Sequence, residues 1–484
     1  MTPADFVVIP TTRGPVRGRR HEHGAVFLDV PYTAPPVGRE RFTAPRPHPG
    51  WTEVRDATRP GPTAPQPVRD TFGTLDMSPY FGPGWQRGED YLTVNIWAPR
   101  TDGPGRRPVM VFVHGGGFVA GSNRAPLHDG TAFARDGVVL VTVNYRLGIP
   151  GFLHLPDAPD NRGMLDVLAA LRWIRDNIDR FGGHPANLTL FGQSAGAVIV
   201  GGILADPAAS GLVRRAVIQS GTGTGALTPD QADIVTREIG RELGTEPTAT
   251  ALADIPDARL VALLPRLGGL DLRTPTRHHP LGGITPFSLV AEEHPATVLA
   301  ARGSGTDLLI GSNLDEGSLY LAPLGILAGS TEVDLRTTAA QFQSGPGSTA
   351  QDAVRDYRAR HPNATTAELR TIILGDGLFT TGTRQMAAAH VRAAGRTYRY
   401  EFAWRSDALD GQLGASHVME LPFVFDRLSL PSLHGPQALL GTTPPPDALA
   451  RHIHRSWIRF AETGTPGWPE HQPAKEHVEH LGAD

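Results

Sequence analysis

Short runs of β-branched and apolar residues alternate in this chain with segments of helical periodicity, and this alternation constrains the fold more than any other feature. The strand candidates are 109–113, 138–143, 187–191, 216–219, 308–310 and 397–404. Residues 161–181 carry leucine and isoleucine at helical spacing, which predicts a crossover helix. Apolar strands joined by helices are typical of a parallel sheet covered on both faces. The sequence therefore predicts an α/β fold with a mostly parallel central sheet.

The segments outside these strands have other patterns. The first hundred residues contain extended runs, many prolines and turn dipeptides such as His23-Gly24, which predict antiparallel strands at one edge of the sheet. Residues 225–390 contain helical stretches that Gly and Pro interrupt, and we expect them to be helical insertions forming one wall of a cleft. No long polar linker divides the chain. We therefore predict a single domain over 1–484, with a loosely held polar tail after Trp468.

One strand candidate runs directly into a pentapeptide with catalytic potential. Gly192-Gln193-Ser194-Ala195-Gly196 follows the strand 187–191 and precedes an apolar run that can begin a helix. A serine in such a strand-turn-helix context is typical of the nucleophile elbow of the α/β-hydrolase fold. An ordinary glycine-rich turn is the alternative in a chain with 56 glycines, but the strand context favours Ser194 as a nucleophile.

A second glycine-rich motif closes the strand 109–113. His114-Gly115-Gly116-Gly117-Phe118 lies where this fold places backbone amides that donate hydrogen bonds to the negative oxygen of an acyl-transfer intermediate. A flexible loop is the alternative interpretation. The position directly after a buried strand favours an oxyanion hole.

With these motifs, the chain resembles the type B carboxylesterase family over nearly its whole length. Other matching stretches are Val30-Pro31-Tyr32, Glu89-Asp90 with Asn95-Ile96-Trp97, Asn144-Tyr145-Arg146-Leu147-Gly148 and Gln219-Ser220-Gly221. The resemblance implies a serine esterase of the α/β-hydrolase fold. It also implies that the amides of Gly116, Gly117 and Ala195 form the oxyanion hole, and we expect Phe118, Gln193 and Phe81 to bind substrate.

The acid and the base of a catalytic triad must follow Ser194 in the order acid, then histidine. The segment Gly311-Ser312-Asn313-Leu314-Asp315-Glu316-Gly317 follows a strand, but residue chemistry alone leaves Asp315 and Glu316 open as the acid. The resemblance implies Glu316. Several histidines come later, and His417 matches the family's catalytic histidine.

The chain departs from the family pattern at several positions. Ala64 and Tyr91 stand where members commonly carry a disulfide, so we expect the intervening loop, with its aromatic residues Phe72, Tyr80, Phe81 and Trp85, to open more readily. Gln193 stands where the family often has Glu, which predicts weaker discrimination in favour of cationic substrates. The resemblance also predicts two buried ion pairs, Arg146 with Asp166 and Arg41 with Glu89.

Composition limits the remaining possibilities. The net charge is −4 without a dense run of Lys or Arg, which argues against a nucleic-acid partner. The chain has no cysteine and no apolar span of about eighteen residues, so we expect a cytoplasmic protein without membrane contact. We expect a small-molecule ester substrate, no metal and no cofactor, with monomer and homodimer both open. Amide, carbamate or lactone hydrolysis, acyl transfer and a non-catalytic binding role are the alternative functions.

Overall fold

A mixed sheet of twelve strands forms the centre of the computed structural model, which describes residues 5–100, 106–274, 277, 282–342, 349–472 and 475–483. In chain order the strands are β1 (Phe6–Pro10), β2 (Pro15–His21), β3 (Gly24–Pro31), β4 (Arg55–Asp56), β5 (Thr71–Phe72), β6 (Leu75–Asp76), β7 (Thr93–Pro99), β8 (Arg107–Val113), β9 (Val139–Val143), β10 (Gly183–Gln193), β11 (Arg215–Gln219), β12 (Asp307–Asn313), β13 (Thr397–Phe402) and β14 (Glu479–Leu481). Strands β5 and β6 form a separate hairpin.

The order of strands in the sheet is β1-β2-β3-β7-β9-β8-β10-β11-β12-β13-β14, with β4 paired to β2. Neighbours from β1 to β9 in this order are antiparallel, and all neighbours from β9 to β14 are parallel. Antiparallel strands at the amino-terminal edge of a mostly parallel sheet were predicted, and the prediction is confirmed. Because the strands from β9 to β14 point the same way, their carboxyl ends meet at one edge of the sheet, where α/β proteins place their functional groups.

The α-helices are α1 (Ser78–Phe81), α2 (Thr131–Arg135), α3 (Gly148–Phe152), α4 (Arg162–Asn177), α5 (Ala195–Ala205), α6 (Pro229–Leu243), α7 (Ala249–Leu252), α8 (Asp257–Leu263), α9 (Pro295–Arg302), α10 (Glu332–Gln341), α11 (Ala350–Arg360), α12 (Thr366–Gly375), α13 (Thr381–Arg392), α14 (Leu421–Val424) and α15 (Asp447–Thr463). The predicted crossover helix is α4, which continues as a 3-10 turn to Phe181. Helices α6 to α13 are distributed along 225–390, as the interrupted helical pattern indicates.

The core lies on both faces of the sheet. Side chains alternate along a strand, so Val109 and Val111 of β8 pack on one face with the apolar side of α4, whereas Met110 and Phe112 pack on the other with Trp457 of α15. All four β8 side chains are fully buried. Two-sided burial explains why the central strands are continuous apolar runs.

The structure corrects two expectations. The tail after Trp468 is not wholly loose, because β14 adds to the sheet edge beside β13 and buries Leu481. Arg41 does not pair with Glu89, which is exposed; its Nη1 lies 2.5 Å from Oδ1 of Asp257 at the start of α8. Arg146 and Asp166 do form the predicted buried pair, with Nη2 to Oδ1 at 2.7 Å and Nε to Oδ2 at 2.8 Å. Within the described residues, no helix is long and apolar enough to cross a membrane.

Candidate active site

Ser194 occupies a sharp turn between β10 and α5. Its backbone angles, φ 55° and ψ −125°, lie in a region that residues with a side chain rarely adopt. A Cβ on Gly192 would lie 2.6 Å from the backbone of Gly196, and a Cβ on Gly196 would lie 2.0 Å from the carbonyl oxygen of Val113. Only glycine fits at positions 192 and 196, two residues before and after the serine. The turn holds Ser194 at the carboxyl edge of the sheet, and strain of this kind is often found at functional positions.

The backbone amides expected to form an oxyanion hole line the same cavity as Ser194. Gly116, Gly117 and Ala195 all contribute to its wall, and none of their N–H groups donates a hydrogen bond to any residue that the structure describes. Gly116 has φ +116°, and a Cβ there would lie 2.0 Å from the carbonyl oxygen of Ala120. Ala195 is the first residue of α5, where helix N–H groups lack partners within the helix. Three unpaired donors therefore face the space next to the serine.

Glu316 and His417 form a buried pair. The imidazole Nδ1 lies 2.6 Å from Glu316 Oε2, and the two side chains are 3% and 1% exposed. The contact assigns the proton to Nδ1, so that Nε2 carries the lone pair that a base requires. Asp315, the alternative acid, turns away and contacts Arg405 at 3.0 Å. The geometry thus separates the two acids that residue chemistry left open.

Glu316 is fixed by hydrogen bonds that sequence reasoning missed. Its Oε1 accepts from Ser220 Oγ at 2.5 Å and from the backbone N–H of Asn313 at 2.7 Å. The Asn313 side chain in turn donates to Glu420 Oε2 at 2.7 Å, and burial raises the pKa of Glu420. Ser220 belongs to a stretch that matches the family, but the sequence assigned this serine no role. Its hydrogen bond to Glu316 could not be read from the sequence.

The His417 imidazole packs against aromatic rings. The Phe379 ring is stacked on it with centroids 4.1 Å apart and planes 14° apart, and the Tyr320 ring lies 5.9 Å away. The next residue, Val418, has φ +74°, which is rare for a β-branched residue. Stacking and strain together limit the orientations open to the imidazole. No hydrogen bond joins Ser194 Oγ to the imidazole in the described structure, and such contacts are often long before substrate binds.

Gln193 was expected to bind substrate, but its side chain is fully buried and does not line the cavity. Its Nε2 lies 3.3 Å from His417 Nε2, and its Oε1 accepts from the Tyr80 hydroxyl at 2.7 Å. Burial raises the pKa of Tyr80 well above its usual range, so the phenol stays a donor. Gln193 therefore contacts Nε2, the same imidazole nitrogen that carries the lone pair.

The cavity at Ser194 has a volume of about 310 Å³ and a mostly apolar wall. The expected substrate-binding residues Phe118 and Phe81 both line it. Of the other loop aromatics, Phe72 and Tyr80 line it and Trp85 does not. Further wall residues come from the predicted insertions, namely Ile284, Thr285, Leu319, Tyr320, Leu324, Leu378 and Phe379. A larger cleft of about 460 Å³ beside Asp315 contains none of these catalytic candidates.

The loop without the disulfide is attached by other contacts. Ala64 and Tyr91 are both buried in the core. The Gln66 side chain exchanges two hydrogen bonds with the Gly121 backbone, at 2.8 and 3.0 Å. Farther along the loop, Thr74 N–H donates to the carbonyl of Pro323 at 3.0 Å. Easier opening of this loop stays a prediction, and these contacts are what such an opening must break.

The arrangement matches the requirements of acyl transfer: a nucleophile, a base oriented by a buried acid, and amides aimed at one space. Among the described residues, no cluster of three or more His, Asp or Glu side chains could hold a metal ion. The chemistry that these residues support is therefore that of a serine hydrolase.

Comparisons with known proteins give matches over nearly the whole chain. The model of the carboxylesterase family matches residues 5–481. The chain is 36% identical to phenmedipham hydrolase of Pseudarthrobacter oxydans, over 94% of this chain and 90% of that protein. It is 34% identical to para-nitrobenzyl esterase of Bacillus subtilis (strain 168), over 97% and 94%. The crystal structure of the Geobacillus stearothermophilus carboxylesterase EST55 superposes with a TM-score of 0.81 at 34% identity, over 98% of this chain and 96% of that one.

Proposed function

Because this chain belongs to the carboxylesterase family and hydrolyses carboxylic esters, we propose that it does so through an acyl-enzyme on Ser194. Support comes above all from the 2.6 Å contact between His417 and Glu316, which places the imidazole proton on Nδ1 and leaves Nε2 unprotonated, and from the cavity that Ser194 and His417 both line. Three unpaired amides at Gly116, Gly117 and Ala195 complete the proposal.

In the first half-reaction, Ser194 Oγ attacks the carbonyl carbon while His417 Nε2 takes its proton. The carbonyl oxygen becomes negative and accepts hydrogen bonds from the three amides. The bond to the alcohol oxygen then breaks, and the imidazolium returns its proton to that oxygen. Glu316 stabilises the imidazolium while it exists.

In the second half-reaction, water attacks the acyl carbon and gives a proton to His417 Nε2. Collapse of the second intermediate breaks the bond to Ser194 Oγ, which regains the proton. The products are an alcohol and a carboxylic acid that ionises in water.

Removal of the nucleophile tests this proposal. In Ser194→Ala, kcat on p-nitrophenyl butyrate should fall by at least about 10⁴-fold. Ser210→Ala, at an exposed serine remote from the cavity, is the matched control and should stay within about twofold. Full activity in Ser194→Ala would show that another residue performs the attack.

The same residues could also cleave amides, carbamates or lactones or pass the acyl group to an alcohol. A panel of matched substrates with these bonds, assayed on wild-type protein and Ser194→Ala, separates these activities from ester hydrolysis. The apolar wall suits an uncharged acyl or alcohol group next to the scissile bond.

The single domain over 1–484 and the cytoplasmic location stay proposals. The absence of cysteine supports the second, since the protein needs no oxidising compartment to fold. Cell fractionation with an antibody tests the location, and a single cooperative unfolding transition by calorimetry tests the domain organisation.

A further inference from the structure

One charged side chain lines the catalytic cavity besides the catalytic histidine. It is Arg69, in the loop before the β5–β6 hairpin, and it is partly buried. No Asp or Glu is among the described residues of the cavity wall. Arg69 makes no hydrogen bond and no ion pair with any residue that the structure describes. A guanidinium without an acid thus faces the space that substrate enters.

Arg69 is set apart by its place in the cavity wall: Arg399 and Arg427 are also partly buried, each with a buried Nε that has no hydrogen-bond partner among the described residues, but neither lines the cavity. Other arginines with little exposure have partners, such as Arg146 with Asp166 and Arg41 with Asp257. Burial lowers the pKa of Arg69, and no carboxylate acts on that pKa; only the Tyr320 phenol raises it. Taking a cation partly out of water is unfavourable unless an anion compensates. The protein supplies none here, so a ligand is the natural source.

A second donor lies within electrostatic range of Arg69. The Tyr320 hydroxyl has no hydrogen-bond partner among the described residues, and the Tyr320 ring is held between Phe72 at 5.7 Å and Phe379 at 6.1 Å. Burial raises the pKa of Tyr320, so its hydroxyl remains protonated and able to donate. Apart from the groups assigned to catalysis, the other side-chain hydroxyls of the wall have partners: Tyr80 donates to Gln193, Thr285 donates to the Gly117 carbonyl and Thr222 contacts Thr224. Arg69 and Tyr320 therefore form a pair of unused donors without an acceptor.

The position of this pair suggests which part of a substrate it meets. Leu324, which lines the same cavity, is 51% exposed, so this part of the wall borders solvent. The β5–β6 hairpin, which follows Arg69, is joined to the segment of Leu324 by the hydrogen bond between Thr74 and Pro323. The scissile ester must instead lie beside Ser194 and the three amides. Because the loop of Arg69 leads directly into this hairpin, we expect Arg69 to meet the end of a bound ester that lies toward solvent.

We propose that Arg69, assisted by the Tyr320 hydroxyl, binds a carboxylate at the end of the substrate remote from the scissile ester. A guanidinium matches a carboxylate with two parallel hydrogen bonds, and a surrounding apolar wall strengthens them. The preferred substrates are then esters with an anionic end, such as monoesters of dicarboxylic acids. This inference rests on the proposed esterase activity of Ser194 and adds the substrate class.

Two matched substrates test the inference. One is the mono-p-nitrophenyl ester of suberic acid, which ends in a carboxylate; the other is the p-nitrophenyl ester of suberamic acid, which has the same length and ends in a neutral amide. For wild-type protein, kcat/KM for the carboxylate should exceed that for the amide by about tenfold. In Arg69→Gln the ratio should fall to about one, through a higher KM for the carboxylate, with the amide substrate little changed.

Two further variants guard against a general effect on the fold. Arg69→Lys keeps the charge without the paired geometry and should give an intermediate ratio. Arg87→Gln removes another cation of the same loop that stacks on the Trp85 ring at 4.2 Å and does not line the cavity, so its ratio should equal that of wild type.

The possible failures are distinguishable. A wild-type ratio of one or less, or an unchanged ratio in Arg69→Gln, overturns the carboxylate inference while Ser194-dependent hydrolysis of the amide substrate leaves the esterase proposal intact. Absence of Ser194-dependent hydrolysis of both substrates overturns the esterase proposal and, with it, this inference.

Discussion

Two regions enclose the catalytic cavity and hold their side chains in different ways. The strand edge carries Ser194 at the carboxyl ends of the strands, and the loop wall carries Phe72, Phe81 and Leu324. At the strand edge, Ser194 is fixed by a strained turn between two required glycines, and the Glu316 carboxylate accepts three hydrogen bonds. The wall that carries Phe72, Phe81 and Leu324 is apolar and has few polar attachments. Rigid placement suits groups that must meet a transition state, whereas an apolar wall tolerates substitution. We therefore expect strand-edge changes to alter the rate and wall changes to alter the choice of ester.

After removal of the nucleophile itself, the largest effect should come from the acid of the strand edge. Glu316→Gln removes the charge that stabilises the His417 imidazolium, so kcat/KM should fall by about 10³- to 10⁴-fold in steady-state assays. Asp315→Asn is the neighbouring control. It loses a contact with Arg405 and none with the imidazole, so a loss of similar size in this variant would contradict the assignment.

A smaller loss should follow from moving one amide of the oxyanion hole. Gly116→Ala places a Cβ 2.0 Å from the Ala120 carbonyl, so the turn must shift and kcat should fall by about 10²- to 10³-fold. Gly211→Ala has a comparable φ of +73° but meets no atom within 4 Å. Gly211→Ala should lower the free energy of unfolding by about 1 kcal/mol and leave kcat unchanged. An equal loss of kcat in both variants would show that backbone strain, and not the position of the Gly116 amide, is responsible.

The wall should respond differently. Phe81→Ala enlarges the cavity, and kcat/KM along a p-nitrophenyl series from acetate to octanoate should shift by about tenfold toward the longer acyl chains. Trp85→Ala, in the same loop but outside the cavity wall, should leave the profile unchanged. A uniform loss across the series in Phe81→Ala would place this ring with the catalytic residues instead.

The smallest effect concerns Gln193, whose buried side chain contacts His417 Nε2. Gln193→Glu puts a carboxylate about 3.3 Å from His417 Nε2, where it attracts cations. The preference for a quaternary-ammonium ester over its neutral isostere should rise by about two- to tenfold. An unchanged preference would mean that this buried position does not influence the charge selectivity of the cavity.

The sequence predicted most of what lies at the strand edge. The strands, the elbow around Ser194 and the glycine loop follow from local patterns, because apolar runs and obligatory glycines are visible residue by residue. Local patterns could not decide whether Asp315 or Glu316 is the catalytic acid, because the direction of each side chain depends on the backbone conformation. The contact of Glu316 with His417 joins residues 101 positions apart.

Long-range partners were the main source of error and omission. Arg41 was assigned to Glu89, but its partner is Asp257, 216 residues away in an insertion helix. Gln193 was expected to bind substrate from its position in the elbow, where the family often has Glu, yet its side chain is buried and contacts His417 and Tyr80. Arg69 gave no signal at all, because a lone arginine in a loop resembles any solvated charge until its neighbours are known.

Covalent labelling tests the central claim most directly. Wild-type protein treated with a fluorophosphonate should bind one equivalent, with the mass added to the peptide that contains Ser194 and esterase activity lost in parallel. Ser194→Ala should bind none. A label on another residue, or complete inactivation without mass at Ser194, would contradict the claim that this serine forms the acyl-enzyme.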